Sequence, residues 1–153
     1  MNSYERIFGS GPRGGLISIV LFCLAFFLEG VIGLPQILSN DDVRVTVSVV
    51  FFLAGSVAVG WSLYSLPPKS RGRRLVISGA FSYVRHPLYA AFLFFFNLGF
   101  SLLLNNWIYL IWAFVLFPIW SVNVKSEEKL MRATFGKEYA DYCEKTGRFL
   151  PKW

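Results

Sequence analysis

The chain has little of what soluble catalytic domains usually depend on. Its 153 residues include one histidine and two cysteines, and charged residues make up only 16%. It has no phosphate-binding loop, no dinucleotide fingerprint placed between a strand and a helix, and no histidine, cysteine and aspartate cluster with metal-ligand spacing. We therefore predict no metal centre. A serine or cysteine nucleophile is not supported either, because the single histidine, His86, has a better assignment below.

The two cysteines do not predict a disulfide. Cys23 lies in the first apolar run and Cys143 in a polar tail, so they fall at different depths and the tail is expected in a reducing compartment. The first fifteen residues lack the continuous apolar core of a signal peptide, and we expect the first apolar run to stay in the mature protein. Their glycine and proline content predicts an irregular segment.

Long apolar runs dominate the rest of the chain. Hydrophobic residues make up 55% and aromatic residues 18%, and the mean hydropathy is +0.51. A membrane span needs about 20 mostly apolar residues, and four runs approach that length: 16–38, 45–66, 88–104 and 107–124. We predict an all-α integral membrane protein, a single domain over 1–153, with four transmembrane helices and a helical C-terminal tail at 125–153.

The charge distribution predicts the topology. The net charge is +6, and basic residues concentrate in the loop 67–87 and the tail 125–153, whereas the connection after the first run carries Asp41 and Asp42. The positive-inside rule places both basic segments and both termini in the cytoplasm. We expect the basic residues to meet membrane lipids, not nucleic acid. The expected location is the plasma membrane of a prokaryote or the endoplasmic reticulum of a eukaryote.

An acidic residue, Glu29, interrupts the first apolar run. Exposing it to lipid would cost about 2.5 to 3.5 kcal/mol, so it is expected to face the bundle interior. Two interpretations stay open at this point. One is a contact with substrate or a proton; the other is a structural role, either as a polar bond to a neighbouring helix, for example to Asn97, or near enough to the outer face to reach water.

A helix is predicted to begin at Pro87, because proline fixes its own φ and disfavours the α region for His86. The N-terminus of a helix has unpaired N–H groups and partial positive charge. Together with the side chains of Arg85 and His86, it suits an anionic group.

The tail is predicted to form two short helices. Residues 126–132 have helical propensity, and Gly136 is placed to end that helix with a left-handed cap. Residues 137–146 place Tyr139 and Tyr142 on one face. Because the tail is too short to bury a core of its own, we expect this face to pack beside His86 and Tyr89.

The residues gathered in this way suit a zwitterionic molecule that also carries an aromatic ring. Arginine and histidine can bind a carboxylate, glutamate can bind an ammonium group or a ribose diol, and tyrosine can stack on a ring. S-adenosylmethionine has all of these parts. The residues concerned are Arg85, His86, Glu127, Glu128, Arg148, Tyr83, Tyr89, Tyr139 and Tyr142.

Three motifs occur in a characteristic order: GAFSYVRHPLY at 79–89, the pair Glu127-Glu128, and FGKEYxxY at 135–142. Over residues 75–151 the chain resembles the isoprenylcysteine carboxyl methyltransferase and phospholipid methyltransferase superfamily of integral membrane enzymes. The resemblance implies an S-adenosylmethionine site formed by the last helix hairpin and the folded tail. It also implies a lipophilic acceptor that enters from the bilayer, such as a prenylcysteine carboxylate or a phospholipid amine.

The motifs imply roles for individual residues. Arg148 and Glu127 are expected nearer the methyl acceptor, as catalytic residues. A carboxylate acceptor needs no general base, whereas an amine would need one, for which Glu127 or Glu29 is available. The expected cofactor contacts are Arg85, His86, Tyr89, Glu128, Tyr139 and Tyr142.

Two alternatives remain from the sequence. The first is an NADPH-dependent membrane reductase of the sterol-reductase kind, for which the cluster Arg71 to Arg74 would have to bind the cofactor's phosphates. The second is a non-catalytic membrane binding module. The oligomeric state is left open.

Overall fold

A computed structural model describes residues 10–67 and 73–152. In these ranges all regular secondary structure is helical, apart from an isolated parallel bridge between Val84 and Gly147. A 3-10 turn at Gly79–Ser82 precedes the third long helix. The five long helices are α1 (Gly11–Ile32), α2 (Asp41–Ser65), α3 (Pro87–Leu104), α4 (Trp107–Asn123) and α5 (Lys125–Lys145).

Within the described residues, four helices are long and apolar enough to cross a membrane: α1, α2, α3 and the continuous α4–α5 segment, of which α4 is the apolar part. The predicted all-α class with four spans is thereby confirmed. Large apolar side chains stay exposed on these helices, such as Phe27 at 67% and Phe114 at 72%. Such side chains have the polarity of lipid tails, so an apolar exterior is what a lipid-facing bundle requires.

Helix α1 differs from the predicted first span at both ends. It begins at Gly11 instead of Leu16, with a proline in its first turn. Proline is tolerated there because the N–H groups of the first turn have no intrahelical partner in any case. The predicted irregular segment is therefore wrong for 11–15, and 1–9 lie outside the described residues. The helix ends at Ile32 instead of Leu38. Gly33 adopts a left-handed conformation with φ 63°, and its N–H donates to the Glu29 carbonyl at 3.2 Å.

Asparagine side chains determine where α2 and α4 begin. The Asn40 side chain accepts a hydrogen bond from the Val43 N–H at 3.0 Å, so α2 starts at Asp41 instead of Val45. Asn105, with φ 57°, ends α3, and Asn106 caps α4 by accepting from the Ile108 N–H at 3.0 Å. The two-residue spacing between the last two runs therefore forms a tight hairpin.

Helix α1 packs on α4, α2 packs on α3, and α3 packs on α4. The resulting core includes Leu93 of α3 and Leu116 of α4, and it extends to Val124 at the α4–α5 junction and Phe149 of the tail. The tail is therefore part of the same packed unit as the spans. Within α5, Gly136 has non-helical angles of φ 53° and ψ −122° and breaks the helix at the residue that the sequence predicts.

Glu29 makes a polar bond between helices. Its Oε2 accepts a hydrogen bond from the Tyr109 hydroxyl at 2.6 Å, and Tyr109 is only 1% exposed. Of the two open interpretations, the structure supports the interhelical bond, with Tyr109 as the partner in place of Asn97.

Candidate functional site

Backbone pairing joins the segment after α5 to the segment before α3. The Arg85 N–H donates to the Gly147 carbonyl at 2.8 Å, and the His86 N–H donates to the Arg148 carbonyl at 3.0 Å. These bonds surround the parallel bridge between Val84 and Gly147. They bring the side chains of Arg85, His86 and Arg148 to the N-terminus of α3, although the first and last of these residues are 63 positions apart in the sequence.

Glu128 is the common partner of these three side chains. Its Oε1 accepts from Arg85 Nε at 3.1 Å and Nη2 at 3.0 Å. Arg148 Nε lies 3.0 Å from Oε1 and Arg148 Nη2 lies 2.5 Å from Oε2. His86 Nε2 is 3.5 Å from Oε1. Two guanidinium groups thus share one carboxylate that is only 8% exposed.

The charge state of Glu128 follows from these contacts. Its burial disfavours the ionised form, but the contacts with His86, Arg148 and Arg85 outweigh burial and hold the pKa of Glu128 well below its usual range. The hydrogen bond to Glu128 likewise raises the pKa of Arg148. At neutral pH the carboxylate of Glu128 is therefore ionised and pairs with two guanidinium groups.

The neighbouring carboxylate, Glu127, has different partners. Its Oε1 accepts a hydrogen bond from the Tyr89 hydroxyl at 2.9 Å and another from the backbone N–H of Ser10. Its Oε2 lies 3.7 Å from His86 Nδ1. Glu127 thus connects the start of α1, the first turn of α3 and α5.

His86 lies between the two carboxylates and is held by aromatic rings. Its ring stacks on Tyr89 with centroids 5.7 Å apart and contacts the Phe149 ring at 5.9 Å. Among the described residues, its buried Nε2 has no hydrogen-bond partner of acceptable geometry. This nitrogen is turned toward Glu128, whose Oε1 lies 3.5 Å away.

The tail tyrosines form a buried face. Tyr139 is 2% and Tyr142 is 8% exposed, and the Tyr142 hydroxyl donates to the Phe81 carbonyl at 2.5 Å. Burial raises the pKa of both tyrosines, and the nearby Glu128 charge raises that of Tyr139 further. The predicted packing face of the second tail helix is confirmed.

A cavity of about 1000 Å³ lies between α1, the end of α2, the segment before α3, α3 itself and α5. This volume is at the upper end of the range of about 300 to 1000 Å³ for small-molecule sites. The polar end is lined by Arg85, His86, Tyr89, Glu127, Tyr139 and Tyr142. The apolar part is lined by Phe22, Leu63, Phe92, Phe96 and Phe100.

The structure thus brings the predicted site residues together but divides them into two groups. Six of them line the cavity, whereas Glu128 and Arg148 are not in its lining and lie behind Arg85 and His86. Tyr83 was wrongly expected in the site, because it is 59% exposed and packs on Trp61 outside the lining. Direct contact of Glu128 or Arg148 with a ligand stays a prediction. Glu29 is not in the lining either. Of the arginine cluster in the reductase alternative, Arg74 lines the cavity, and Arg71 lies outside the described residues.

Sequence reasoning missed the contribution of α1. Ser10 contacts Glu127, and a Cβ on Gly11 would lie 3.5 Å from the Tyr89 hydroxyl. Asn123 donates from Nδ2 to the Ser10 carbonyl at 3.0 Å. The available signal was the spacing of Asn123 and Glu127, which are four residues apart and therefore share one face of a helix.

The sequence around this site matches a known protein family. The isoprenylcysteine carboxyl methyltransferase (ICMT) family matches residues 49–133, which is more than half of the chain. The chain belongs to the ICMT family. The matched range contains Arg85, His86, Tyr89, Glu127 and Glu128, and it does not contain α1 or the tail after residue 133.

Two curated relatives share part of the chain. The protein-S-isoprenylcysteine O-methyltransferase of Schizosaccharomyces pombe is 33% identical over 84 residues, covering 54% of this chain and 35% of the relative. The protein of the same name from Saccharomyces cerevisiae is 40% identical over 78 residues, covering 50% of this chain and 32% of the relative. The matched stretch is thus about a third of each relative's length.

Proposed function

We propose that this ICMT-family protein is an S-adenosylmethionine-dependent methyltransferase that methylates the carboxylate of a lipophilic acceptor, of which a prenylated cysteine is the favoured example. The single observation that supports it most is the two-part cavity. One end presents an imidazole, a guanidinium group and tyrosine hydroxyls, and the other is lined by apolar and aromatic side chains. A charged donor and a lipid tail need these two environments side by side.

The polar end fits the donor. His86 lines this end with its imidazole ring, and Arg85, held in place by Glu128, offers positive charge for a carboxylate. Tyr139 and Tyr142 supply ring faces for a heteroaromatic base. S-adenosylmethionine supplies a sulfonium methyl group for direct transfer. The protein's part is to align donor and acceptor at about 3 to 3.5 Å and to exclude water.

The state of Glu127 favours a carboxylate acceptor over an amine. Among the described residues that line the cavity, Glu127 is the only carboxylate, and it already accepts hydrogen bonds from Tyr89 and Ser10. An amine would require a base to remove its proton, whereas a carboxylate would not. The names of the two relatives support the same acceptor. In this proposal, Arg148 and Glu128 act by positioning Arg85 and His86.

The topology belongs to the same proposal. The cavity's polar end lies at the end of the bundle that carries the basic loop and tail, and the positive-inside rule places this end in the cytoplasm. The donor then reaches the site from water, and the lipid tail reaches it from the bilayer.

The test uses the purified chain in lipid nanodiscs with S-adenosylmethionine labelled in its methyl group. Three acceptors are compared: a farnesylated cysteine with a free carboxylate, its amide, and phosphatidylethanolamine. Labelling of the free carboxylate alone is expected, and it should be lost with His86→Ala. Glu138→Gln changes an exposed glutamate of α5. It serves as the control and should retain activity.

The outcomes separate the alternatives. Labelling of phosphatidylethanolamine in place of the farnesylated cysteine would move the acceptor to a phospholipid amine. A protein that binds NADPH but does not bind S-adenosylmethionine would favour the reductase. Folded protein that binds neither would leave the non-catalytic binding module.

A further inference from the structure

The start of α1 is held by two side chains from the α4–α5 junction. Glu127 accepts a hydrogen bond from the Ser10 N–H, and Asn123 Nδ2 donates to the Ser10 carbonyl at 3.0 Å. The two side chains lie one helical turn apart, because the Glu128 N–H continues the helix by bonding to the Val124 carbonyl at 3.0 Å. Both polar backbone atoms of one residue are therefore bound from the same side.

This pair of bonds, which we call the Ser10 clamp, is connected to the polar end of the cavity. The oxygen of Glu127 that binds Ser10 also accepts from the Tyr89 hydroxyl at 2.9 Å. Ser10 itself is 7% exposed. Gly11, the next residue, lines the cavity, and a Cβ there would lie 3.5 Å from the Tyr89 hydroxyl. The clamp thus sets how closely α1 approaches Tyr89.

Further contacts fix the following turns of α1 on α4. A Cβ on Gly14 would lie 2.7 Å from the Trp120 ring and 2.6 Å from Asn123 Nδ2, so only glycine allows this approach. Trp120 Nε1 donates to the Ser18 hydroxyl at 3.0 Å, and Trp112 Nε1 donates to the Ser18 carbonyl at 3.2 Å. The clamp is therefore one end of a continuous polar contact between α1 and α4.

We propose that Asn123 and Glu127 are positioning residues. They hold α1 in place as the wall that closes the polar end of the cavity beside Tyr89. This role rests on the proposed function. It assigns a part in the site to α1, which lies outside the range 49–133 that matches the ICMT family. Glu127 then acts through Tyr89 and Ser10 and is not a base.

Two independent changes test the clamp without altering a residue at the polar end of the cavity. Asn123→Ala removes the donor to the Ser10 carbonyl, and Gly14→Ala pushes α1 away from Trp120. Each is expected to raise the dissociation constant and the KM of S-adenosylmethionine by about fivefold, the equivalent of one hydrogen bond. The value of kcat should change less than KM. Hydrogen exchange of the backbone amides in 11–18 should become faster.

Matched controls separate positioning from general stability. Gly30→Ala makes the same substitution in the same helix where a Cβ meets nothing within 4 Å. Asn40→Ala removes the cap of α2, where the side chain accepts from Val43 N–H, and lowers stability at the other end of the bundle. Neither control should change donor affinity, although Asn40→Ala should lower the melting temperature.

The failures are distinguishable. Wild-type protein that binds S-adenosylmethionine, with Asn123→Ala and Gly14→Ala variants of equal affinity, would overturn the clamp and leave the proposed function standing. Equal affinity losses in Asn40→Ala would also overturn it, because the effect would then be one of stability. Folded wild-type protein that does not bind the donor would overturn the proposed function and this inference with it.

Discussion

The guanidinium group of Arg148 forms a two-point contact with the carboxylate of Glu128, with Nη2 to Oε2 at 2.5 Å and Nε to Oε1 at 3.0 Å. Planar, bidentate pairs of this kind are the strongest ordinary ion pairs in proteins. The pair ties the last residues of the chain to the start of α5, and the same carboxylate holds Arg85. The arrangement of Arg85 at the polar end of the cavity therefore depends on residues that do not line it.

The first prediction concerns Glu128→Gln, which keeps the shape of the side chain and removes its charge. Arg85 and Arg148 then lose their common partner in a buried setting, and the free energy of unfolding should fall by about 3 kcal/mol. Donor affinity should fall about tenfold. Thermal unfolding and equilibrium binding measure the two effects. Glu138→Gln is the matched control, and an equal loss there would rule out a specific role for Glu128.

The second prediction is the acid dependence of stability. Because the folded protein holds the pKa of Glu128 below the ordinary value of 4.5, its contribution is complete above about pH 4.5 and is lost as the pH falls below that value. The melting temperature of the wild type should drop steeply there. The drop should be smaller in Glu128→Gln, which has no carboxylate to protonate. Parallel curves for the two proteins from pH 3 to 7 would contradict the prediction.

The third prediction concerns the turn that returns the tail to the site. A Cβ on Gly147 would lie 1.9 Å from the Leu150 carbonyl oxygen, so Gly147→Ala must shift the backbone. The bond from the Arg85 N–H to the Gly147 carbonyl should weaken, and stability should fall by about 1 to 3 kcal/mol. The protection of the Arg85 and His86 amides, measured by hydrogen exchange, should fall with it. Unchanged protection would show that the turn does not hold this segment.

The fourth prediction tests packing between α2 and α3. A Cβ on Gly55 would lie 2.7 Å from the Phe96 ring, whereas a Cβ on Gly60 of the same helix would meet nothing within 4 Å. Gly55→Ala should therefore destabilise the protein by about 1 to 3 kcal/mol. Gly60→Ala should be neutral or slightly stabilising, because alanine has the better helix propensity. Melting temperatures in one detergent compare the two, and an equal effect would contradict the packing.

Features that depend on residues close together in the sequence could be predicted from the sequence. The Asn105-Asn106 hairpin and the break at Gly136 depend on the backbone preferences of those residues, and they appear where expected. The predicted ends of α1 were wrong because a single residue sets each end: a proline in the first turn and a glycine cap at the last. The helix begins before the apolar run and ends before that run does, so apolar composition marks neither end.

The assignment of adjacent carboxylates was not accessible from the sequence. Successive residues on a helix point about 100° apart, so whether Glu127 or Glu128 faces the cavity depends on the rotation of α5 about its axis. That rotation is fixed by contacts distant in sequence, namely the pairing of Glu128 with Arg85 and of Glu127 with Ser10. No local pattern encodes them.

The sequence by itself determined an all-helical chain with four membrane-length spans and a polar tail, because apolar length and helical propensity are properties of each segment taken alone. Only the tertiary structure decided that the backbone after α5 pairs with Arg85 and His86, that Arg148 lies behind the cavity wall, and that Ser10 contacts Glu127. These features depend on the relative positions of segments up to 117 residues apart, which packing and a few buried polar bonds determine together.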